Sequence, residues 1–181
     1  MNQFAAIQRH VVLRDGAKVL LRPLAPEDAA LYPDFIAELT PDDLRLRFFA
    51  PMRQVSPELI DRLIHYDPMR AMAFIAIEEG SGRMLAVVRL HDDPGGESGE
   101  FAIIVRSRLK GRGLGSLMMK HMIAYARAKG LRYVSGQVLA ENTSMLAMCA
   151  ELGFAITDDP DERGIKRVAL PLHELPTMAV R

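Results

Sequence analysis

The sequence predicts a mixed α/β fold in one domain, with a mostly antiparallel sheet of about six to seven strands and helices on both faces. Two observations support this prediction. Near residue 70 the apolar spacing changes from a helical period to runs typical of strands, and three such runs follow one another through short connections. Two strand–helix passages come next, and because connections of that kind join parallel strands, the sheet is expected to be mixed.

The first third of the chain supplies one strand and three short helical segments. The strand covers 18–24, KVLLRPL. A helix then begins at Pro26, where two acidic residues follow in the first turn, and Pro33 is expected to break or offset it. Residues 41–51, PDDLRLRFFAP, form a second short helix or turn, and Ser56 caps a third helix.

The middle of the chain supplies the centre of the sheet. Strand-like segments cover 71–79, 83–91 and 99–107, and the connections GSG and DDPGGESG have the composition of hairpin turns. A long helix with an apolar stripe is predicted from 114 to 129, and Gly130 is expected to end it.

The last part of the chain returns to the sheet. A strand at 133–139, YVSGQVL, leads to a helix that Asn142 caps, and FAIT and IKRVALPL then form a closing hairpin around DDPDERG. The whole chain, 1–181, is expected to be a single domain with its core at about 18–172 and short extensions at both ends.

Composition limits the class of protein. Lysine plus arginine and aspartate plus glutamate number 23 each, so no overall basic field attracts nucleic acid. The apolar runs are too short to span a membrane, and the N-terminal residues lack the apolar core of a secretory signal. The single cysteine, Cys149, excludes an internal disulfide, and the scattered histidines suggest no metal site. We therefore expect a cytoplasmic protein without metal, nucleic acid or membrane partners.

The segment RSRLKGRGLGSLMMKHM places Gly111, Gly113 and Gly115 just before the long helix. Backbone amides in such a turn form a cradle for an anion, and glycine lets a phosphate approach them. A nucleoside triphosphate would need GxxxxGK followed by Ser or Thr, but no lysine precedes Ser116. A dinucleotide would need GxGxxG directly after a strand, with an acid such as Glu141 after the next strand. A merely flexible turn leaves the three cations of SRLKGR unexplained.

Residues 110–115, KGRGLG, point to a third ligand. They resemble the signature loop of the GNAT acyltransferases, whose pattern is Gln or Arg, two residues, Gly, one residue, then Gly or Ala; Lys110 departs from it. The predicted element order also matches that family over about 18–172. In addition, LRDGAKVLLRPLAPEDA, LRLRFFAP, GEFAIIV and ENTSMLAMCAELGF resemble the catalytic domain of bacterial protein lysine acetyltransferases. The resemblance implies the GNAT fold and an N-acetyltransferase of class EC 2.3.1 that uses acetyl-CoA and no metal.

The same resemblance implies where the diphosphate of acetyl-CoA binds. It would lie over the backbone amides of residues 111–116 at the start of the long helix. Arg108, Lys110 and Arg112 would supply positive charge around it, although exposed cations add little individually.

The pantetheine arm is expected to lie against the strand that precedes this loop. Ile104 and Val105 would make main-chain contacts with it, and the N–H of Ile104 would polarise the thioester carbonyl. Asn142 would cap its helix and also contact pantetheine. The implied binding residues are Ile104, Val105, Lys110, Gly111, Arg112, Gly113, Leu114, Gly115, Ser116 and Asn142.

Glu100 is the candidate catalytic residue. A lysine side chain has a pKa of about 10.4 and must lose a proton before it attacks a thioester, so a general base is useful. Glu100 is the one acidic residue of the segment EFAIIV, and the resemblance places a catalytic glutamate there. Half-burial beside apolar side chains would raise the pKa of its carboxyl. The alternative is that Glu100 only ends an acidic hairpin loop.

The position of the leaving-group acid departs from the family pattern. Many GNAT enzymes carry a tyrosine seven residues after the asparagine, and counting from Asn142 reaches Cys149. A cysteine could donate a proton or carry the acyl group itself, but no His–Asp pair accompanies it in sequence. We expect Cys149 to be a small packing residue, with the proton coming from water or from no specific group.

The acceptor is the part of the function that the sequence specifies least. The resemblance favours a lysine side chain on a protein, such as an acyl-CoA synthetase; a small amine, or a non-catalytic acyl-CoA sensor, stands as an alternative. An acidic channel would suit a cationic lysine, and Glu38, Asp42, Asp43 and Asp92 are its expected contributors. The two phenylalanines at 48–49 are expected in the acceptor wall or the core. The sequence predicts no oligomeric state.

Overall fold

A computed structural model describes residues 8–173, which form one eight-stranded sheet flanked by helices. The strands are β1 (Arg9–Val12), β2 (Lys18–Pro23), β3 (Ala71–Glu78), β4 (Met84–Asp92), β5 (Ser98–Val105), β6 (Tyr133–Leu139), β7 (Ala155–Asp158) and β8 (Ile165–Pro171). Their order across the sheet is β1-β2-β3-β4-β5-β6-β8-β7, and every neighbouring pair is antiparallel except β5 and β6.

The helices lie in two groups along the chain. They are α1 (Tyr32–Ala37), α2 (Pro41–Phe48), α3 (Pro57–Ile64), α4 (Leu114–Lys129) and α5 (Thr143–Glu151). A 3-10 turn at Pro26–Leu31 precedes α1, and another at Ser107–Leu109 lies between β5 and α4. Within residues 8–173, no helix is both long enough and apolar enough to cross a membrane.

The two groups of helices cover opposite faces of the sheet, because successive residues of a strand point to opposite sides. In β3, Phe74 packs in the apolar cluster that contains α4, whereas Ile75 packs in the cluster that contains α1 and α3. The ring of Phe74 meets Tyr125 of α4 edge-on, with 5.4 Å between ring centroids. Burial on both faces explains why the central strands read as continuous apolar runs.

The pairing of β5 with β6 is short. These two parallel strands pair from Ser98 to Glu100 and no further, and Glu100 lies opposite Ser135. Beyond that point β5 pairs only with β4, as far as Val105, while β6 continues to pair with β8. One edge of β5 is therefore free of strand partners over residues 101–105, and this gap positions the site described below.

Phe101 fills the point where the two strands separate. Its ring lies over Gly136 of β6, so that a Cβ atom at position 136 would be 2.7 Å from the ring carbon Cε1. The ring also meets Phe154 edge-on, with 5.5 Å between centroids. A side chain at position 136 would displace the ring, and glycine is therefore required there.

Most of the helices and strands predicted from the sequence are confirmed, including the helix cap at Ser56 and the helix end at Gly130. α4 spans 114–129 and ends at Gly130, whose φ of 90° is left-handed. Pro33 lies just after the change from 3-10 to α-helical geometry. The prediction missed β1 and thereby undercounted the strands, because this four-residue edge strand is almost wholly exposed and shows no apolar period.

We predict that Gly136→Ala destabilises the fold and distorts the gap between β5 and β6. Overpacking of this kind costs about 1–3 kcal/mol in the free energy of unfolding. Urea denaturation followed by circular dichroism measures the change. Gly80→Ala is the matched control, because a Cβ atom there meets nothing within 4 Å. Equal stability of the two variants would show that the ring of Phe101 does not require glycine beside it.

Candidate active site

A cleft of about 720 Å³ opens along the free edge of β5. Its walls come from β5, the loop before α4, the first turns of α4, part of β6, and α5, and residues of α2 line one side. Nine of the eleven predicted site residues line it: Glu100, Ile104, Val105, Lys110, Gly111, Gly113, Gly115, Ser116 and Asn142. The other two, Arg112 and Leu114, do not line the cleft, and the side chain of Leu114 is fully buried in the core.

Two of the loop glycines are needed for backbone conformation. Gly111 and Gly113 have φ values of 77° and 85°, which residues with side chains rarely adopt, and Gly113 is the N-cap residue of α4. A Cβ atom at either position would meet no protein atom within 4 Å, so both glycines border open space. Gly115 differs, because a Cβ atom there would be 3.4 Å from the sulfur of Met148.

The loop leaves its backbone amides free. Within the described residues, none of the amides from Gly111 to Ser116 has a hydrogen-bond acceptor, whereas Leu117 donates to the carbonyl of Gly113 at 3.0 Å. These amides lie at the positive end of the dipole of α4. Free amides in this arrangement are suited to a phosphate group, the ligand that the glycine spacing predicts.

The cations predicted around the cradle are engaged with carboxylates. Arg108 pairs with Glu38 at 2.9 Å, and Arg112 pairs with Asp15 at 3.1 Å. Lys110 pairs with Asp43. These charges are already partly neutralised within the protein.

Asp43 joins the loop to α2. Its carboxylate accepts hydrogen bonds from the hydroxyl of Ser107 and from the amide of Thr40, in addition to Lys110. Burial alone would raise the pKa of Asp43, but these hydrogen bonds outweigh burial and lower it. The loop is thus held in place by a charged carboxylate of the neighbouring helix.

Two further cations line the cleft, and sequence reasoning missed both. Lys120 lies on α4 one turn beyond Ser116, and Arg14 precedes β2. Both side chains are exposed, and neither has a carboxylate partner in the part of the chain that the structure describes. A spacing of four residues from Ser116 along a helix is the signal that could have identified Lys120.

The register of β5 corrects the predicted role of the Ile104 amide. In antiparallel pairs, alternate residues direct both backbone groups to the same neighbour. Arg106 donates its N–H to Leu85 of β4 at 2.9 Å, and Ser98 accepts from Asp93 on the same side. Ile104 lies two residues before Arg106 and six after Ser98, so its N–H also faces β4. The amides that face the cleft belong to Ile103 and Val105.

Glu100 stands at the last pair between β5 and β6, where the cleft begins. Its side chain is exposed, so the expected half-burial is wrong. Glu100, Ala102 and Ile104 share one face of β5, and Ile104 packs with the apolar cluster of α1 and α3. The carboxylate therefore lies on the side of the sheet that those helices cover.

Asn142 caps α5 as predicted. Its side-chain oxygen accepts a hydrogen bond from the amide of Met145 at 3.3 Å. Because the oxygen is used by the cap, the side-chain NH₂ group is available to donate to a ligand in the cleft.

Cys149 lies outside the cleft. Its side chain is fully buried in the core, and burial raises the pKa of its thiol to about 11. A thiol in this state neither ionises near neutral pH nor reaches a leaving group, in agreement with the expected packing role.

The predicted acidic acceptor channel is not formed. Glu38 is bound by Arg83, Arg106 and Arg108. The other three acids are also paired with cations: Asp42 with Arg45, Asp43 with Lys110, and Asp92 with Lys129. Of the four predicted acids, only Asp43 lines the cleft. These carboxylates form separate ion pairs at α1, α2, the loop and the end of α4 instead of one channel.

The aromatic pair of α2 takes two different positions. Phe49 has a left-handed φ of 58°, ends α2 and lines the cleft. Phe48 lines a second cavity of about 30 Å³ beneath α1 and α2. Arg47, which the sequence analysis did not single out, lines both cavities, as do Ala102 and Ile104.

Comparison with known proteins identifies the family. The sequence model of the Acetyltransferase (GNAT) family matches residues 34–154. The chain belongs to this family. Acetyltransferase PA5475 of Pseudomonas aeruginosa is 35% identical over 176 residues, which cover 93% of this chain and 95% of that protein. Acetyltransferase Pat of Mycolicibacterium smegmatis is 26% identical over 144 residues, and the match spans 43% of its length.

The fold agrees with this assignment. The GNAT domain of S. lividans PAT superposes with a TM-score of 0.84 at 28% identity, covering 92% of this chain and 98% of that one. The mixed sheet and the helices on both faces are those of the GNAT fold. The chain is an N-acetyltransferase that uses acetyl-CoA as its co-substrate, and the free amides at the start of α4 fit a diphosphate.

We predict that native Cys149 resists thiol reagents at pH 8. Because its pKa is about 11, little thiolate forms, and burial blocks access to the sulfur. A colorimetric thiol assay should show slow reaction in the native protein and complete reaction of one thiol in urea. The single cysteine makes the readout unambiguous. Rapid native labelling would contradict the buried position.

Proposed function

We propose that the protein transfers the acetyl group of acetyl-CoA to a lysine side chain of a protein substrate, by direct attack with Glu100 as general base. The observation that carries the proposal is the position of Glu100. Its carboxylate stands at the closed end of the β5–β6 gap, on the same strand as the free amides of Ile103 and Val105. A base and a donor for an oxyanion are thereby held on one rigid element.

The acyl donor would run along the free edge of β5. Its diphosphate would bind the amides of residues 111–116, and the pantetheine arm would pass beside Val105 towards Glu100. The N–H of Ile103 would then donate to the thioester oxygen as negative charge develops on it. Asn142 would donate its NH₂ group to the arm from the opposite wall.

Glu100 would remove the proton that keeps the acceptor amine from attacking. A protonated lysine transfers a proton to the carboxylate, directly or through a water, and the neutral amine then forms the new C–N bond. The nitrogen loses its second proton to water, the C–S bond breaks, and coenzyme A leaves as a thiolate. Because Cys149 is buried away from the cleft, water supplies the proton to this sulfur.

The protein acceptor is supported by the sequence segments shared with bacterial protein lysine acetyltransferases. It agrees with the similarity to acetyltransferase Pat and to the GNAT domain of S. lividans PAT. Acyl-CoA synthetases are the first substrates to test. Incubation with acetyl-CoA and candidate proteins, followed by mass spectrometry of lysine-containing peptides, should reveal acetylated lysines. Acetyl transfer only to free small amines would refute the protein acceptor.

We predict that Gly113→Ala abolishes acetyl-CoA binding. A left-handed residue with a side chain costs roughly 1–2 kcal/mol, and the new Cβ atom would protrude into the space beside the free amides. Thermal shift with acetyl-CoA measures the loss, since a ligand that binds only the folded state raises its stability. Gly82→Ala is the control, because its φ of 72° carries the same backbone strain in a distant turn. An equal thermal shift in both variants would contradict the cradle.

We predict that Glu100→Gln lowers kcat about 10²- to 10⁴-fold and leaves acetyl-CoA affinity nearly unchanged, because the amide cannot accept a proton. Steady-state kinetics and calorimetry with acetyl-CoA measure the two quantities. Glu97→Gln removes a neighbouring exposed carboxylate, whose ion pair with Arg132 at 3.4 Å is weak, and serves as the control. Full activity of Glu100→Gln would remove this residue from the mechanism.

A further inference from the structure

We propose that Arg47, with Arg89 behind it, binds a carboxylate on the acceptor, so that the substrate carries a negative charge near the amine that is acetylated. The proposal rests on the function proposed above and adds a recognition element to it. It starts from the small cavity of about 30 Å³ that adjoins the cleft. Arg47, Ala102 and Ile104 belong to the walls of both spaces.

Arg47 carries a charge for which the protein supplies no carboxylate. Its guanidinium lies 4.7 Å from the centre of the Phe48 ring, and no ion pair or hydrogen bond is made by it within residues 8–173. Burial, followed by the charge of Arg89, lowers the pKa of Arg47 to about 10, so it is still charged at neutral pH. The Arg47 side chain is half-buried, and a half-buried cation without a carboxylate loses part of its hydration with no ion pair to replace it.

The neighbouring arginines show the contrast. Arg45, two residues away on α2, binds both Asp42 and Glu141 at 2.6 Å. Arg106 and Arg108 share Glu38, each at 2.9 Å. The fold therefore pairs the cations that brace the loop and the helices. It leaves Arg47 without a carboxylate at the wall of the cleft, and unlike the exposed Arg14 and Lys120, Arg47 is half-buried.

Arg89 adds a second positive charge in the same place. It is 4% exposed and lies on β4 directly opposite Ala102. Its guanidinium donates to the hydroxyl of Tyr32 at 3.2 Å and to the carbonyl of Leu63, both neutral groups. Two guanidinium groups with neutral or aromatic neighbours make this part of the site electropositive.

These charges lie on the acceptor side of the sheet, close to the catalytic base. Val87, Arg89 and His91 lie on one face of β4. Glu100 of β5 is the cross-strand partner of His91 and lies on the same face of the sheet. Partial burial, followed by the charges of Arg89 and Arg47, lowers the pKa of His91. Glu100 in turn raises the pKa of Arg47, so the two groups lie within electrostatic reach of each other.

The arrangement matches a substrate that is itself a zwitterion. An ammonium group placed at Glu100 for deprotonation leaves Arg47 to bind an anion, and the planar guanidinium is suited to a carboxylate. That carboxylate is either the side chain of a Glu or Asp near the target lysine or a free α-carboxylate. Arg47 would bind either carboxylate in the same way, and the experiment below distinguishes the two sources.

The test compares acceptors that differ only in the carboxylate. Lysine peptides with Glu or Gln at each flanking position, together with Nα-acetyl-lysine and its amide, are assayed with the wild type, Arg47→Gln and Arg47→Lys. We expect Glu at one position, or the free α-carboxylate, to raise kcat/KM about tenfold or more in the wild type, mainly through KM. Arg47→Gln should lose this preference, Arg47→Lys should keep part of it, and the KM for acetyl-CoA should not change.

Arg62→Gln is the matched control, because it removes an exposed charge of α3 that lines neither cavity. It should keep the wild-type preference. A preference that persists in Arg47→Gln, or none in the wild type, would overturn the inference while leaving lysine acetylation intact.

A binding measurement separates the two proposals. Calorimetry uses the protein saturated with coenzyme A and peptides whose lysine is already acetylated, so that no turnover is needed. Tighter binding of one Glu peptide than of its Gln partner, abolished by Arg47→Gln, supports the inference even where no lysine is acetylated. Equal binding of both peptides to the wild type counts against it.

Discussion

The structure depends on the early end of the pairing between β5 and β6. A parallel pair that stops at Glu100 leaves backbone groups of β5 without strand partners, although unpaired strand edges are normally covered. The ring of Phe101 over Gly136 fills the point of separation, so the sheet core stays closed while the edge beyond it remains open. An extended ligand can then complete the edge as a strand would.

The charges around the loop fix it before a ligand arrives. Carboxylates of α1 and α2 bind the cations of residues 106–110, and the buried guanidinium of Arg106 additionally donates to the carbonyl of Met84 at 3.0 Å. These bonds do not neutralise the backbone amides, which remain free at the start of α4. In the proposed site, a diphosphate would therefore bind to oriented dipoles that need no rearrangement, while the ion pairs maintain the geometry of the loop.

Features that are encoded locally could be predicted from the sequence. The helix end at Gly130 and the cap at Asn142 each depend on a few neighbouring residues, and the structure confirms both. The prediction that Glu100 and the glycine loop belong to one site came from the family resemblance, because the two are more than ten positions apart in the sequence. The spacing of the elements alone does not bring them together.

Features that depend on register and tertiary contacts could not be predicted. Which amide of β5 faces the cleft follows from its pairing with β4, and the sequence analysis therefore chose Ile104 instead of Ile103. The acids expected in an acceptor channel are bound by cations that are distant in sequence, as Glu38 is by Arg106. Arg47 was missed for the same reason: its lack of a carboxylate partner is visible only when all its neighbours are known.

The alternation of β5 explains how one strand serves both substrates. Odd-numbered residues direct their amides to the open edge, where we propose that the acyl donor binds, and even-numbered residues direct their side chains to the face of α1 and α3. In the proposed site, Glu100, Ala102 and Ile104 thus face the acceptor while Ile103 and Val105 offer N–H groups to the donor. A register slip of one residue would exchange both sets at once. The long pairing of β5 with β4, seven residues from Gly99 to Val105, is what prevents such a slip, and the precision of the site is inherited from the centre of the sheet.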